Sequence, residues 1–152
     1  MKIVCNSSVL IALDKVGILH ILKSFFKEIL IPKAVRKEVF GRRKLPAFIK
    51  CIEISEPIAL KVLKSNLEAG ESEAICLYEE IDASLLIIDD IEGRRVAERL
   101  GINITGTLGV LLLAKREKLI DAIKPLLDEI VSQGFRVADE LYKEILAKAD
   151  EV

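Results

Sequence analysis

The chain has 152 residues, 51% of them hydrophobic and 31% charged, with a mean hydropathy of +0.36 and a formal net charge of −1. This composition excludes a disordered chain, and the balanced charge excludes an overall attraction to nucleic acid or membrane. The longest uncharged run, 101–114, is shorter than the roughly 20 residues of a membrane span. We expect one cytoplasmic domain over 1–152, with no signal peptide and no membrane association.

The apolar residues predict strands that alternate with helices. Ser7 or Ser8 can cap the first helix, Pro32 opens another, and Gly70 is expected to end a helix before Glu71 begins the next. In chain order, strands are predicted at 2–5, 29–31, 52–55, 85–88 and 102–104. Helices are predicted at 8–16, 18–26, 32–41, 57–67, 71–80, 92–100, 107–115, 120–132 and 137–148.

This alternation predicts an α/β fold, a three-layer α/β/α sandwich with a central, mostly parallel sheet of four or five strands. The C-terminal segment, 135–152, is expected to form a helix that packs on the core or on a partner. Ligands of such sheets bind outside the carboxyl ends of the strands. Three predicted strands end there in polar groups: Asn6-Ser7-Ser8, Asp89-Asp90 and Thr105-Gly106-Thr107.

Two further carboxylates lie on apolar stripes of predicted helices. Glu38 follows Ala34 and Val35 at helical spacing, and Glu71 precedes Ile75, so both are expected to face the core. Burying several carboxylates together is costly unless a divalent cation compensates, and Mg²⁺ and Mn²⁺ prefer oxygen ligands. The sequence therefore predicts a Mg²⁺ or Mn²⁺ site that includes Glu38, Glu71, Asp89 and Asp90.

Each acid also has a simpler interpretation. Asp90 could cap the helix that follows it, and Glu71 and Glu73 could complement a helix N-terminus. Glu38 could pair with Arg42 or a nearby lysine. Thr105 and Thr107 could position a phosphate or a water, or Thr107 could only cap its helix.

A cation site of this kind activates water for attack on a phosphodiester. Basic residues flank the predicted acids and either hold an RNA backbone or form a solvated face. They are Lys33, Arg36, Lys37, Arg42, Arg43, Arg94 and Arg95. Lys44 and Lys50 are further basic residues of the span 33–50. Aromatic residues make up only 5% of the chain, so reading of bases by stacking is not indicated.

The order of four segments resembles the PIN domain family, and most closely its VapC-like toxins. They are NSSVLIAL after the first strand, IPKAVRKEV, LEAGESEAICLYEE and LLIIDDIEGRRVAERLGINITGTLG. The resemblance implies a metal-dependent endoribonuclease, commonly homodimeric and often paired with an antitoxin. It implies that Glu38, Glu71 and either Asp89 or Asp90 are site acids. Glu73 could take the place of Glu71, because the pattern leaves the register of that helix open.

The chain departs from the family pattern at Asn6, where the family has Asp. An amide oxygen can ligate a cation or hold a water, with Ser7 beside it, but it carries no charge and is a poor base. The alternative is therefore a weakened or inactive PIN domain that binds RNA or protein. A receiver-like signalling domain is a third interpretation, disfavoured because its acidic pair would follow the first strand.

Overall fold

A computed structural model of the protein describes residues 1–55 and 57–151. These residues form a sheet of five parallel strands in the order β3-β2-β1-β4-β5. The strands are β1 (Ile3–Cys5), β2 (Ile29–Ile31), β3 (Ile49–Cys51), β4 (Leu85–Ile87) and β5 (Ile104–Thr105). The helices are α1 (Ser7–Lys15), α2 (Ile21–Phe25), α3 (Lys33–Phe40), α4 (Pro57–Lys64), α5 (Ala69–Glu80), α6 (Ile91–Arg99), α7 (Thr107–Arg116), α8 (Lys124–Ser132) and α9 (Asp139–Lys148).

Helices cover both faces of the sheet, which confirms the predicted three-layer α/β/α fold. Successive residues of a strand face opposite sides, and the chain fills both sides with aliphatic groups. Ile3 and Cys5 of β1 contribute to the core beneath α1, α3 and α7. Val4 contributes to a second core with Leu86 and Ile75. The central strand β1 pairs with β2 and β4, and its carboxyl end therefore lies mid-sheet.

Several element boundaries differ from the predictions. The third strand lies at Ile49–Cys51 and not at 52–55, because Ile49 pairs with Ile29 while Glu53 reaches out to Lys33. Gly70 does not end a helix: α5 begins at Ala69 and contains it. The first helix starts at Ser7, with Asn6 rather than a serine in the capping position. Pro32 likewise occupies the N-cap of α3, and not its first turn.

The C-terminal helix α9 lies against the rest of the chain. Its Ile145 and Leu146 are buried in the core beneath α1 and α7, whereas Leu141 on the same helix is 43% exposed. None of the helices in the described part of the chain has the length and hydropathy needed to cross a bilayer.

Candidate metal centre at the carboxyl edge of the sheet

Asn6 leaves the carboxyl end of β1 and is only 1% exposed. Its backbone N–H donates to Ile87 O at 2.8 Å, which fixes the residue against β4. Its Nδ2 donates to Glu71 Oε1 at 3.4 Å. Its Oδ1 accepts no hydrogen bond within the described residues. A buried acceptor without a donor costs about 1–3 kcal/mol, so Asn6 Oδ1 is a candidate contact for a ligand.

Glu38 and Asn6 both lie beside Gly70. The Glu38 residue is exposed, which corrects the expectation that it faces the core, because α3 buries Val35, Val39 and Phe40 instead. Its carboxylate nevertheless lies along the first turn of α5. A Cβ atom at Gly70 would be 2.6 Å from Glu38 Oε1 and 3.4 Å from Asn6 Oδ1. The glycine therefore leaves room for both oxygens beside the first turn of α5.

Glu71 and Asp90 approach each other across a second glycine. A Cβ atom at Gly93 would be 3.3 Å from both Asp90 Oδ2 and Glu71 Cγ. Asp90 caps α6, because its Oδ2 accepts the Gly93 N–H at 2.8 Å. Glu71 is half-buried in the first turn of α5, where a negative charge is favourable. Asp90 thus caps a helix and Glu71 complements a helix N-terminus, as the simpler interpretations proposed. Both residues nevertheless belong to one group of side chains with Asn6 and Glu38, which we call the cluster of acids.

Asp89 points elsewhere. Its Oδ1 accepts the Thr107 N–H at 2.8 Å and its Oδ2 accepts the Thr107 hydroxyl at 2.6 Å. Burial raises the pKa of the Asp89 carboxyl, although the Thr107 hydrogen bonds and the nearby Arg94 act in the opposite direction. Arg94 Nη1 also donates to Ile88 O at 2.8 Å. Asp89 therefore joins the end of β4 to the start of α7.

The auxiliary residues divide between the cluster and the scaffold. Ser7 is 5% exposed, and its Oγ, like Asn6 Oδ1, has no hydrogen-bond partner within the described residues. Glu73 lies at α3, where its Oε1 accepts the Ala34 N–H at 3.1 Å. Thr105 Oγ1 lies against Gly109 of α7. Of these residues, Ser7 is therefore the one adjacent to Asn6.

Most of the predicted RNA-binding residues already have partners. Lys33 pairs with Glu53 at 2.8 Å and Arg95 with Glu92 at 2.8 Å. Arg36 and Arg43 donate to backbone carbonyls at the end of α3. The side chains of Lys37 and Arg42 are exposed and make no hydrogen bond or ion pair within the described part of the chain.

The donors suit a hard cation, with one restriction. Among residues 1–55 and 57–151, no three His, Cys, Asp or Glu side chains form a metal-binding group. However, Mg²⁺ commonly binds through one or two carboxylates and keeps several waters. Asn6 Oδ1, Glu38 and Glu71 offer two carboxylates and one buried amide oxygen without a donor. These residues fit such a cation.

Sequence reasoning missed Gly70, Gly93 and the anchoring role of Arg94. The sequence did contain a signal for the glycines. Each lies in the first turn of a helix beside a site acid, where the helical backbone would accept any residue and does not itself require glycine. Their role becomes visible only when Glu38 and Asp90 are brought against them from other elements.

The sequence was compared with models of known protein families. A family model described as DUF3368: PIN domain matches residues 2–151. The matched range includes every strand and helix of the structure and all the residues of the candidate site. No curated protein matches the chain.

Proposed function

The chain belongs to the PIN domain family, whose members are generally nucleases, and from that premise we propose that it is a Mg²⁺- or Mn²⁺-dependent endoribonuclease. The observation that carries the proposal is Asn6 Oδ1, a buried acceptor without a donor, beside the carboxylates of Glu38 and Glu71. A divalent cation bound there would make water a stronger nucleophile and neutralise negative charge on an RNA phosphodiester.

The protein's own residues would hold and align the reactants. Glu38 and Glu71 supply the negative charge of the site, and Asn6 supplies a neutral oxygen between them. Asp90 extends the cluster toward a cleft of about 420 Å³, whose lining also includes Lys64 and Asn66. Asp89 anchors the strand end by holding Thr107, and so keeps Asp90 in place.

Cleavage of a single-stranded RNA with Mn²⁺ tests this function. Glu38→Gln and Glu71→Gln should each reduce the rate about a hundredfold or more, because each removes charge from the reacting centre. Glu98→Gln is the matched control: Glu98 is exposed on α6 and is expected to leave the rate unchanged. Cleavage that persists in both site variants, or in EDTA, would contradict the metal mechanism.

The resemblance to VapC-like toxins supports a narrower proposal, that the ribonuclease is the toxin of a toxin–antitoxin pair and acts as a homodimer. Helix α4 offers a surface for a second copy or an antitoxin, since Ile58 and Val62, one turn apart, are 77% and 66% exposed. Growth arrest on expression, relieved by a protein encoded next to it, would support the toxin role. Light scattering would give the oligomeric state.

A second candidate is a catalytically weakened PIN domain that binds RNA or protein. The neutral Asn6 and the absence of a three-carboxylate group among the described residues favour it. Calorimetric titration with Mn²⁺ separates the two candidates. The nuclease should take up the cation at micromolar to low-millimolar concentration, whereas a binding module should bind RNA equally well with and without it.

A further inference from the structure

A basic connector, residues 41–48, follows α3 and borders a cavity at the far end of α1. We propose that this connector and cavity form a second contact site for single-stranded RNA, in which one nucleobase enters the cavity and Arg42 and Lys44 contact the neighbouring phosphates. We call it the connector site. The proposal rests on the proposed ribonuclease function and deepens it by naming where substrate is held outside the cluster of acids.

The cavity is an open depression of the surface whose lining suits a nucleobase. Its volume of about 330 Å³ lies at the lower end of ligand pockets, which measure about 300–1,000 Å³. The composition of the chain did not indicate stacking, but the structure brings the rings of His20 and Phe48 to one cavity, and bases stack on aromatic side chains whatever their identity. Asp14 contributes an acceptor for the N–H groups of a base edge. The lining consists of Asp14, Gly17, Leu19, His20, Pro46 and Phe48.

The start of the connector is held rigidly by two arginines. Arg36 donates to Gly41 O at 2.5 Å and to Arg43 O at 3.1 Å. Arg43 donates to Val39 O at 2.7 Å and lies 3.8 Å from Asp14 in the cavity wall. These contacts order the backbone before a ligand arrives, which reduces the entropy lost on binding.

Arg42 and Lys44, which flank Arg43, remain available. Both are exposed, and neither makes a hydrogen bond or ion pair among the described residues. Two unpaired positive charges on the connector that contributes Pro46 and Phe48 to the cavity match a nucleotide chain, with its alternating phosphates and bases. An acidic protein surface would use these charges but would leave the aromatic rings of His20 and Phe48 without a stacking partner, and we therefore commit to RNA.

The connector site can act together with the cluster of acids because α1 links them. Asn6 precedes the first residue of α1 and Asp14 lies in its last turn, a separation of about 12 Å along the helix. A few linked nucleotides span this distance. RNA held at the connector site would therefore be positioned for attack at the acids, and very short substrates would lack the second contact.

Binding of a fluorescein-labelled 12-nucleotide RNA, measured by anisotropy in EDTA on the Glu38→Gln background, tests the proposal without cleavage. Arg42→Gln/Lys44→Gln should weaken binding about tenfold. It should also lower the slope of log K against log salt by about 1.4, the value for two phosphate contacts on a single strand. Phe48→Leu, which keeps an apolar side chain for the core, and His20→Ala should each weaken binding at least about fivefold with the slope unchanged.

The control is Arg136→Gln/Lys143→Gln, which removes the same charge from exposed positions in and before α9. Equal RNA affinities of the connector and control variants would overturn the proposal. It would also be overturned if the Glu38→Gln protein with an unchanged connector bound no RNA. RNA binding that depends on the connector, in a protein that never cleaves, would retain the connector site and refute the nuclease. RNA cleavage by the wild-type protein, together with RNA binding that the connector substitutions do not change, would retain the nuclease and refute the connector site.

Discussion

Asn6 illustrates how one atom changes the chemistry of a site. Its Nδ2 donates to Glu71 Oε1 at 3.4 Å, so the amide stabilises the neighbouring carboxylate without any cation. An aspartate at this position would replace that donor with a second negative charge and repel Glu71. The asparagine therefore stabilises the cluster of acids when no cation is bound. It also leaves the cluster with one negative charge fewer for binding a cation.

Asn6→Asp should consequently raise the affinity for Mn²⁺ about tenfold, because one more carboxylate faces the cation. Without cation, the same change should lower the free energy of unfolding by about 1–3 kcal/mol, since it removes a hydrogen bond to a charged group at a buried position. Calorimetry and urea denaturation measure the two effects. Asn103→Asp, before β5 at the opposite edge of the sheet, adds the same charge as a control. An unchanged Mn²⁺ affinity would show that residue 6 does not contact the cation.

At the scale of elements, the end of β4 separates two adjacent acids. Consecutive side chains of an extended segment point to opposite sides. Asp89 accordingly turns to Thr107 at the start of α7, and Asp90 turns to Gly93 at the start of α6, beside Glu71. The sequence could not rank the pair, because both follow the same strand and either could cap a helix.

We therefore expect Asp90→Asn to reduce cleavage and Mn²⁺ affinity about tenfold or more, as loss of a group that orients site residues does. Asp89→Asn should have the smaller effect on both. An asparagine can still accept the Thr107 N–H and donate to the Thr107 hydroxyl, so the anchor is kept. Cleavage rates and melting temperatures of the two variants decide the matter. A folded Asp89→Asn protein with the larger loss would reverse the assignment.

At the scale of the whole molecule, the end of the chain ties three helices together. Glu151 Oε2 accepts the Ile123 N–H at 2.8 Å and lies 2.9 Å from Lys115 Nζ of α7. Its Oε1 accepts the Lys124 N–H at 2.9 Å, at the first turn of α8. Burial raises the pKa of Glu151, but these hydrogen bonds and Lys115 outweigh it, and the net pKa is lowered.

Glu151→Gln should lower the free energy of unfolding at pH 7 by about 1–2 kcal/mol, since it weakens charged hydrogen bonds to a helix N-terminus. Because the pKa is lowered in the folded state, this stabilisation is present above the ordinary glutamate value of 4.5 and is lost as the pH falls below it. Urea denaturation of both proteins between pH 7 and pH 3 should show their difference shrink. A difference that is constant with pH would show that the charge of Glu151 is not involved.

Much of the fold followed from local patterns. The aliphatic runs at β1, β2 and β4 predicted strands buried on both faces, and the helices between them required a parallel sheet. The errors fell where local signals compete. Residues 52–55 are as apolar as 49–51, and only pairing of Ile49 with Ile29 selects the strand. A glycine commonly follows the end of a helix, yet Gly70 lies inside α5, where it makes room for Glu38.

The sequence by itself determined the layered fold and the kinds of atom available at the carboxyl edge, because hydrophobic period and residue type are local properties. Only the tertiary structure decided which of those atoms meet. It set Glu38 against Gly70, left Asn6 Oδ1 without a donor, turned Asp89 away to Thr107 and moved Arg43 to Asp14. The physical reason is that such contacts join residues far apart in the chain, whose side-chain directions depend on how α3, α5 and α7 pack on the sheet.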